Sequence, residues 1–220
     1  MRDAYNLELD NLRAQLGDMV QLVAEAMELA TRSLLHQDLE TAEQVISDDV
    51  KVDDARSAAE EKAYGLLALQ APVATDLRIV VAALHASESI ERMGDLALHV
   101  AKAARRRHPE PVLPPDVRPA FERLGDVDVR LARKLEQVVR GDDAEAAKSL
   151  EEDDDEVDEI HRNLFTVIMD RNWEHGVSPA VDLTLLSRFY ERYADHAVSV
   201  AGRLLYIVTG RTPNHSSSDV

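Results

Sequence analysis

The chain contains no cysteine. That removes disulfides, thiolate zinc sites, iron–sulfur clusters and cysteine nucleophiles together. Aromatic residues make up only 4%, and glycine and proline number eight each in 220 residues, too few rings and turn formers for a sheet-rich protein. Basic residues are outnumbered, 25 Lys+Arg against 42 Asp+Glu, and a net charge of −17 repels phosphate backbones, so no nucleic-acid partner is expected. Long apolar runs are missing as well. The longest, Ile79 to Leu84, falls far short of the roughly 20 residues a bilayer-spanning helix needs, so no membrane span is expected. The first six residues, Met1 to Asn6, lack an apolar signal core, which points to the cytoplasm. There is no Walker loop, no GxGxxG, no GxSxG and no HExxH, so the chain reads as a non-enzyme. What remains, 45% apolar and 30% charged, is the balance of a globular chain with a sizeable core.

Proline placement sets the organisation. Pro109, Pro111, Pro114, Pro115 and Pro119 crowd into a stretch no helix crosses, and Pro72, Pro179 and Pro213 stand where helices start or stop. Between them run long Ala/Leu/Glu/Arg-rich segments of good helix propensity. In the first, Tyr5, Leu9, Leu12, Leu16, Met19, Val23, Ala26 and Ala30 alternate in steps of four and three, a heptad seam that predicts a helix from about Ala4 to His36. Asp38 caps a second helix over Leu39 to Ala71. Pro72 opens a third, to about Arg107. Three more follow: Asp116 to Arg140, a helix from the Gly141-Asp142 break to about Asn172, and a last one started by Ser178 as N-cap and Pro179 in the first turn, to about Thr209. The predicted fold is all-α, a tandem repeat of two up-down three-helix bundles built from six long helices. The first bundle covers residues 1–107, a proline-rich linker 108–115, the second bundle 116–210 and a disordered, serine-rich tail 211–220.

The two halves are alike in sequence. The segment from Val45 to Asp53 matches that from Leu150 to Asp158 at an offset of 105, and Glu91 to Val100 matches Glu191 to Val200 at an offset of 100. Both matches keep their acids while the surrounding residues vary. Each half thus carries two acid pairs spaced i, i+4: Asp49/Asp53 with Glu91/Asp95, and Asp154/Asp158 with Glu191/Asp195. Members of such a pair lie one turn apart on one helix face. Glu91 interrupts the sevenfold series Leu77, Leu84, Leu98, and Asp49 falls within the angular range of Val45, Val52 and Ala63. Asp154 stands in the same relation to Leu150 and Val157, whereas Glu191 and Asp195 lie opposite the stripe Leu186, Tyr193, Val200, Ile207.

A carboxylate in such a slot is costly unless something neutralises it, and four facing one another raise each other's pKa. Protonation, pairing with arginine and a bound cation are the three ways out. Arg56, Arg92 and Arg192 make salt bridges available, which is the reading of a metal-free helical scaffold. All-oxygen ligands suit Mg, Ca, Mn or Fe. A ferritin-like di-iron protein needs two Glu-x-x-His motifs on facing helices, and only Asp158-Glu-Ile-His161 approximates one, with Arg56 in the equivalent place of the first half. His99 and His196 read as surface or packing residues, Trp173 as a bundle-end anchor, and Arg105, Arg106 and Arg107 as positive charge suited to a helix C-terminus.

Glu91-Arg-Met-Gly-Asp95 and Glu191-Arg-Tyr-Ala-Asp195, with Gln70-Ala-Pro-Val-Ala-Thr-Asp-Leu-Arg78 and the Val-Asp53 and Val-Asp158 segments, resemble the paired signatures of the PhoU family over nearly the whole chain. The opening Met-Arg-Asp-Ala-Tyr and the late Ala-Asp-His-Ala-Val resemble actinobacterial members. The resemblance implies a cytoplasmic, frequently homodimeric negative regulator of the phosphate-starvation response and of phosphate uptake. In that role it couples the ATPase subunit of the Pst phosphate transporter to a phosphate-sensing histidine kinase through protein contacts. It further implies multinuclear metal clusters (Fe, Zn, Mn or Mg) held by Asp49, Asp53, Glu91 and Asp95 and by Asp154, Asp158, Glu191 and Asp195. The second half lacks the arginine that follows Asp-Leu in the first, since Ser178-Pro-Ala-Val-Asp-Leu183 ends differently, which confines any role of Arg78 to one half.

Overall fold

A computed structural model describes residues 2–70, 72–141 and 144–209. Six helices run through them: α1 (Arg2–His36), α2 (Leu39–Gln70), α3 (Thr75–Arg107), α4 (Arg118–Gly141), α5 (Ala144–Ile168) and α6 (Val177–Thr209). The seam of α1 is buried as its spacing predicts, from Tyr5 through Leu9, Leu12, Leu16, Met19 and Val23 to Ala30, with Ala26 half-buried at its edge. Each large apolar side chain removed from water there contributes roughly 1.5–3 kcal/mol. Gln37 turns the chain with a positive φ of 55°. Asp38 then caps α2, accepting from the Thr41 backbone N–H at 3.0 Å and from the Thr41 hydroxyl at 2.5 Å.

Several boundaries differ from those expected. Pro72 does not open the third helix: Pro72 and Val73 are non-helical, Ala74 takes a φ of 51°, and α3 begins at Thr75. α4 starts at Arg118 rather than Asp116, because the 114–117 segment is spent on a turn that buries Val117. α5 stops at Ile168, four residues early, where Asp170 and Trp173 form a turn and the Trp173 indole donates to the Gly176 carbonyl at 2.8 Å. α6 begins at Val177, so Ser178 lies inside the first turn instead of capping it. Its hydroxyl instead meets Arg107 of α3. The expected disordered tail and the Asp142 part of the expected break lie outside the described residues.

The fold is two three-helix bundles, α1–α2–α3 and α4–α5–α6, lying side by side. α1 packs on α4 and α3 packs on α6 as closely as either packs within its own bundle, so a single core runs through both halves. The connecting segment joins that core, burying Val112, Leu113 and Val117. Two close approaches depend on missing side chains. Thr31 of α1 occupies the space a Cβ on Gly125 would need, and the Arg140 guanidinium lies over Gly17. Among the described residues no helix is long and apolar enough to cross a membrane.

α2 and α5 are the outer helices, and each buries only a thin stripe. In α2 its apolar members are Ala42, Val45, Val52, Ala59, Ala63 and Leu66, and in α5 Ala147, Leu150, Val157 and Leu164. Alternate steps of four and three through those positions leave Asp49 and Arg56 as the polar occupants of the α2 stripe, and Asp154 and His161 as those of the α5 stripe.

Candidate metal centre

The acids of the first half lie between α2 and α3. Glu91 is buried, at 9% exposure, while Asp49 and Asp95 are half-buried and Asp53 is exposed. Loss of hydration raises the Asp49 carboxyl above its ordinary pKa, and the charges of Asp53 and Asp95 add to the shift. Glu91 is raised for the same reason and by Asp95, against the pull of Arg92 and Arg56. Arg56 Nη1 stands 3.4 Å from Glu91 Oε1, and Arg92 Nη1 holds Asp95 at 2.7 Å. Glu91 Oε2 is buried and accepts no hydrogen bond; Arg92 Nε, at 3.7 Å, is too distant to donate one. A cleft of about 100 Å³ opens beside Asp49 over Gly94.

The second half repeats the arrangement between α5 and α6 with less internal neutralisation. Asp154, Asp158 and Glu191 are half-buried and Asp195 is exposed. Desolvation, then the charges of Asp195 and Asp158, push Asp154 up to about 7. Glu191 is also pushed up to about 7, by desolvation and Asp195, even though Arg188 pairs with it. Glu191 Oε2, like its counterpart, is buried without a hydrogen-bond partner. Arg192, expected as a partner, acts on Glu191 through space. Asp153, beside Asp154, is turned away from the others to Arg130 at 3.1 Å and Lys134 at 2.7 Å. The side of α6 opposite its main stripe is therefore no solvent face. It packs against α5, while Tyr190 and Tyr193 point to α1, Tyr190 sharing a hydrogen bond with the Thr31 hydroxyl and Tyr193 donating to the Val23 carbonyl at 3.1 Å.

The eight acids thus gather in two groups of four, each straddling a pair of helices and mutually repulsive. Hard-donor chemistry and the two orphaned glutamate oxygens fit a divalent cation. Among the described residues, though, no three histidine or acidic side chains already close around one point.

Two acids escaped the sequence reading. Asp128 of α4 is fully buried, and neither of its oxygens has a hydrogen-bond partner. Burial and the charge of Asp154 drive its pKa well above the carboxyl range. Its signal was present: Phe121, Leu124, Asp128, Leu131 and Leu135 form a four-and-three seam with an acid in a leucine slot. Asp182 was also missed. It is buried and held by Arg106 at 2.8 Å and Arg107 at 2.5 Å, so those arginines tie α3 to α6 rather than merely ending a helix.

The PhoU domain matches the chain twice, over residues 16–104 and 121–204, and each match encloses one complete acid-bearing face. The chain belongs to the PhoU family. Among PhoU relatives, the "phosphate-specific transport system accessory protein PhoU homolog 2" of Mycobacterium tuberculosis (strain H37Rv) is 54% identical over 97% of this chain and 100% of its own length. PhoU homolog 1 of Mycobacterium leprae is 53% identical over 97% of this chain and 96% of its own. The kinship is thus to actinobacterial PhoU proteins. Crystal structures of the phosphate transport system regulatory protein PhoU from Streptococcus pneumoniae and of PhoU from Pseudomonas aeruginosa both align with a TM-score of 0.85 at 26% identity. They cover 96% and 94% of this chain and 99% and 100% of those chains. The PhoU fold of paired three-helix bundles is therefore shared with these structures over 94–96% of this chain.

Proposed function

We propose that this protein is a cytoplasmic, non-enzymatic accessory regulator of phosphate-specific transport and of the phosphate-starvation response. It acts as a negative regulator, as a homodimer, through contacts with the ATPase subunit of the phosphate transporter and with a phosphate-sensing histidine kinase. The observation that carries this reading is the end-to-end kinship to proteins named as accessory proteins of that transport system. Deleting the gene tests it. Phosphate-starvation genes are expected to stay on in high phosphate and to return to repression when the full chain is supplied; unchanged expression in the deletion strain overturns the reading.

The acid faces supply the structural lever. Asp49, Asp53, Glu91 and Asp95 would hold cations in the first half, and Asp154, Asp158, Glu191 and Asp195 in the second. A bound cation supplies positive charge that offsets the repulsion of the four carboxylates. The chain's own part is to carry those carboxylates on two different helices, so that neutralising them draws α2 toward α3 and α5 toward α6. The outer helices α2 and α5 have the thinnest buried stripes and the most to gain from such a tie. The metal-free scaffold reading has its own support in the first half, where Arg56 and Arg92 already pair with Glu91 and Asp95. Di-iron oxidase chemistry has less, because Arg56 fills the slot where a second histidine would stand.

A further inference from the structure

We infer that the cleft between α1 and α2 in the first half is a docking site for a basic amphipathic helix of a partner protein, one that inserts an aliphatic side chain flanked by arginine or lysine. This rests on the reading above that the protein works through protein contacts. The cleft shares only Asp49 with the first acid face.

The cleft has an apolar floor and an acidic rim. Leu22, Ala26 and Leu29 of α1, with Val45 and Val52 of α2, line about 100 Å³ beside Gly94 of α3. The three α1 side chains are only half-buried, so the packing of α1 on α2 is unfinished here. Glu25, Asp48 and Asp49 supply the rim, and Lys51 is the one basic residue that lines it. Lys51 is occupied by Asp48 at 2.8 Å, and Glu25 accepts from the neutral Gln21 amide at 3.1 Å. Asp49 has no ion pair among the described residues. Two acids are left to face whatever enters.

The second half shows what closes such a cleft. At the offset of 105 that relates the starts of the two family matches, Glu25, Ala26 and Leu29 correspond to Arg130, Leu131 and Lys134 of α4, and Asp48 corresponds to Asp153 of α5. There Leu131 is fully buried. Arg130 and Lys134 hold Asp153 at 3.1 Å and 2.7 Å, and Arg130 also reaches Glu156 at 2.9 Å. One leucine fills the space and two cations seal it. In the first half a methyl group stands in place of that leucine, and Glu25 adds a negative charge where Arg130 offsets one. The missing pieces are thus an aliphatic group and positive charge on both sides of it. A helix presents such a set on one face when the basic residues lie three or four positions from the aliphatic one. The acidic rim repels an anionic lipid surface or a nucleic-acid backbone, which leaves a protein segment as the occupant.

The test uses the untagged full-length protein and fluorescence anisotropy. The probe is a labelled helical peptide of about 15 residues, carrying one leucine with an arginine and a lysine one turn to either side. A control peptide has glutamate in place of both basic residues. The basic peptide is expected to bind with a dissociation constant on the order of 10–100 μM that rises with salt, and the control not to bind. Ala26→Leu, and separately Glu25→Arg with Leu29→Lys, install the residues that close the second half, which favours folding; circular dichroism and melting curves check it. Each should weaken peptide binding by about tenfold or more. No binding of the basic peptide by the wild type, binding that both variants retain, or equal binding of the control overturns the docking site. In the deletion strain, Ala26→Leu at wild-type levels is expected to leave the phosphate-starvation genes on, and full repression by it also overturns the docking site. Failure of the wild-type chain itself to restore repression overturns the regulatory reading instead.

Discussion

The hydroxyls of Thr31 on α1 and Tyr190 on α6 lie 2.9 Å apart in the seam between the two bundles, and Thr31 reaches that point only because Gly125 of α4 has no side chain. A Cβ on Gly125 would come within 2.5 Å of Thr31 Cγ2 and 2.7 Å of its hydroxyl. Gly125→Ala is therefore expected to push α1 from α4 and loosen the Tyr190 contact, lowering stability by about 1–3 kcal/mol in urea unfolding. Removing the obstructing side chain with Thr31→Ala in the same protein should recover part of the loss. Tyr190→Phe alone should cost only about 1 kcal/mol, the net worth of one buried hydrogen bond.

Between the end of α3 and the start of α6, Asp182 gathers Arg106 and Arg107, and Arg107 also donates to the Ser178 hydroxyl at 2.5 Å. The aspartate is buried while the arginines are partly in water, so breaking the group falls between the surface and buried limits for ion pairs. Asp182→Ala should lower stability by about 1–2 kcal/mol and speed hydrogen exchange in the first turns of α6. Arg105→Ala removes an exposed pair with Glu43 at 3.5 Å and should change stability by less than about 0.5 kcal/mol.

Asp154 and Glu191 bind their protons up to about pH 7 in the fold, but release them near the ordinary carboxyl values when unfolded. Between those limits the unfolded chain holds fewer protons, so these two groups make stability fall as pH rises from about 4 to about 7. Asp153 and Glu156, whose arginine partners hold their pKa values down, act in the opposite sense at lower pH. Melting curves of chelator-treated protein should therefore drop between pH 5 and pH 8. Asp154→Asn with Glu191→Gln should flatten the drop, and Mn²⁺ should reverse it in the wild type at pH 8, where the ligands are ionised.

How much of this was legible beforehand depended on whether a signal was local. The six helices and the α1 seam follow from spacing alone, since a buried face imposes its period on the sequence. The acid faces were legible because a duplication displayed them twice. Helix starts at Thr75 and Val177 were misplaced because proline marks where a helix stops being forbidden, and the capping geometry is set by tertiary contacts such as Arg107 to Ser178. The seam partners Thr31, Gly125 and Tyr190 lie more than 60 residues apart in sequence and left no local trace. Asp128 differs from these: its slot in the α4 seam was readable, but only its burial shows that nothing offsets it.

That lack of compensation makes a separate prediction about Asp128. An unpartnered polar group in the core costs about 1–3 kcal/mol, and an apolar residue of similar size removes the cost. Without divalent cation, Asp128→Val should raise the melting temperature by several degrees. A carboxyl kept for structural reasons would show the reverse, a loss on replacement. Thermal melts of the two chelator-treated proteins at pH 7.5 decide between these.

Arg56 offers the complementary test on the first face. It sits in the buried stripe of α2, donates to Glu60 at 2.8 Å and places its other nitrogen 3.4 Å from Glu91. Taking it away leaves Glu91, already short of a partner for Oε2, facing Asp95 and Asp53 with Arg92 alone to offset them. Arg56→Ala should therefore destabilise the cation-free protein by about 1 kcal/mol. If the guanidinium is what makes a metal dispensable there, Mn²⁺ should then raise the melting temperature of Arg56→Ala by more than it raises that of the wild type. An equal rise in both proteins would mean that Arg56 does not stand in for a cation, and that the first face is held by packing alone.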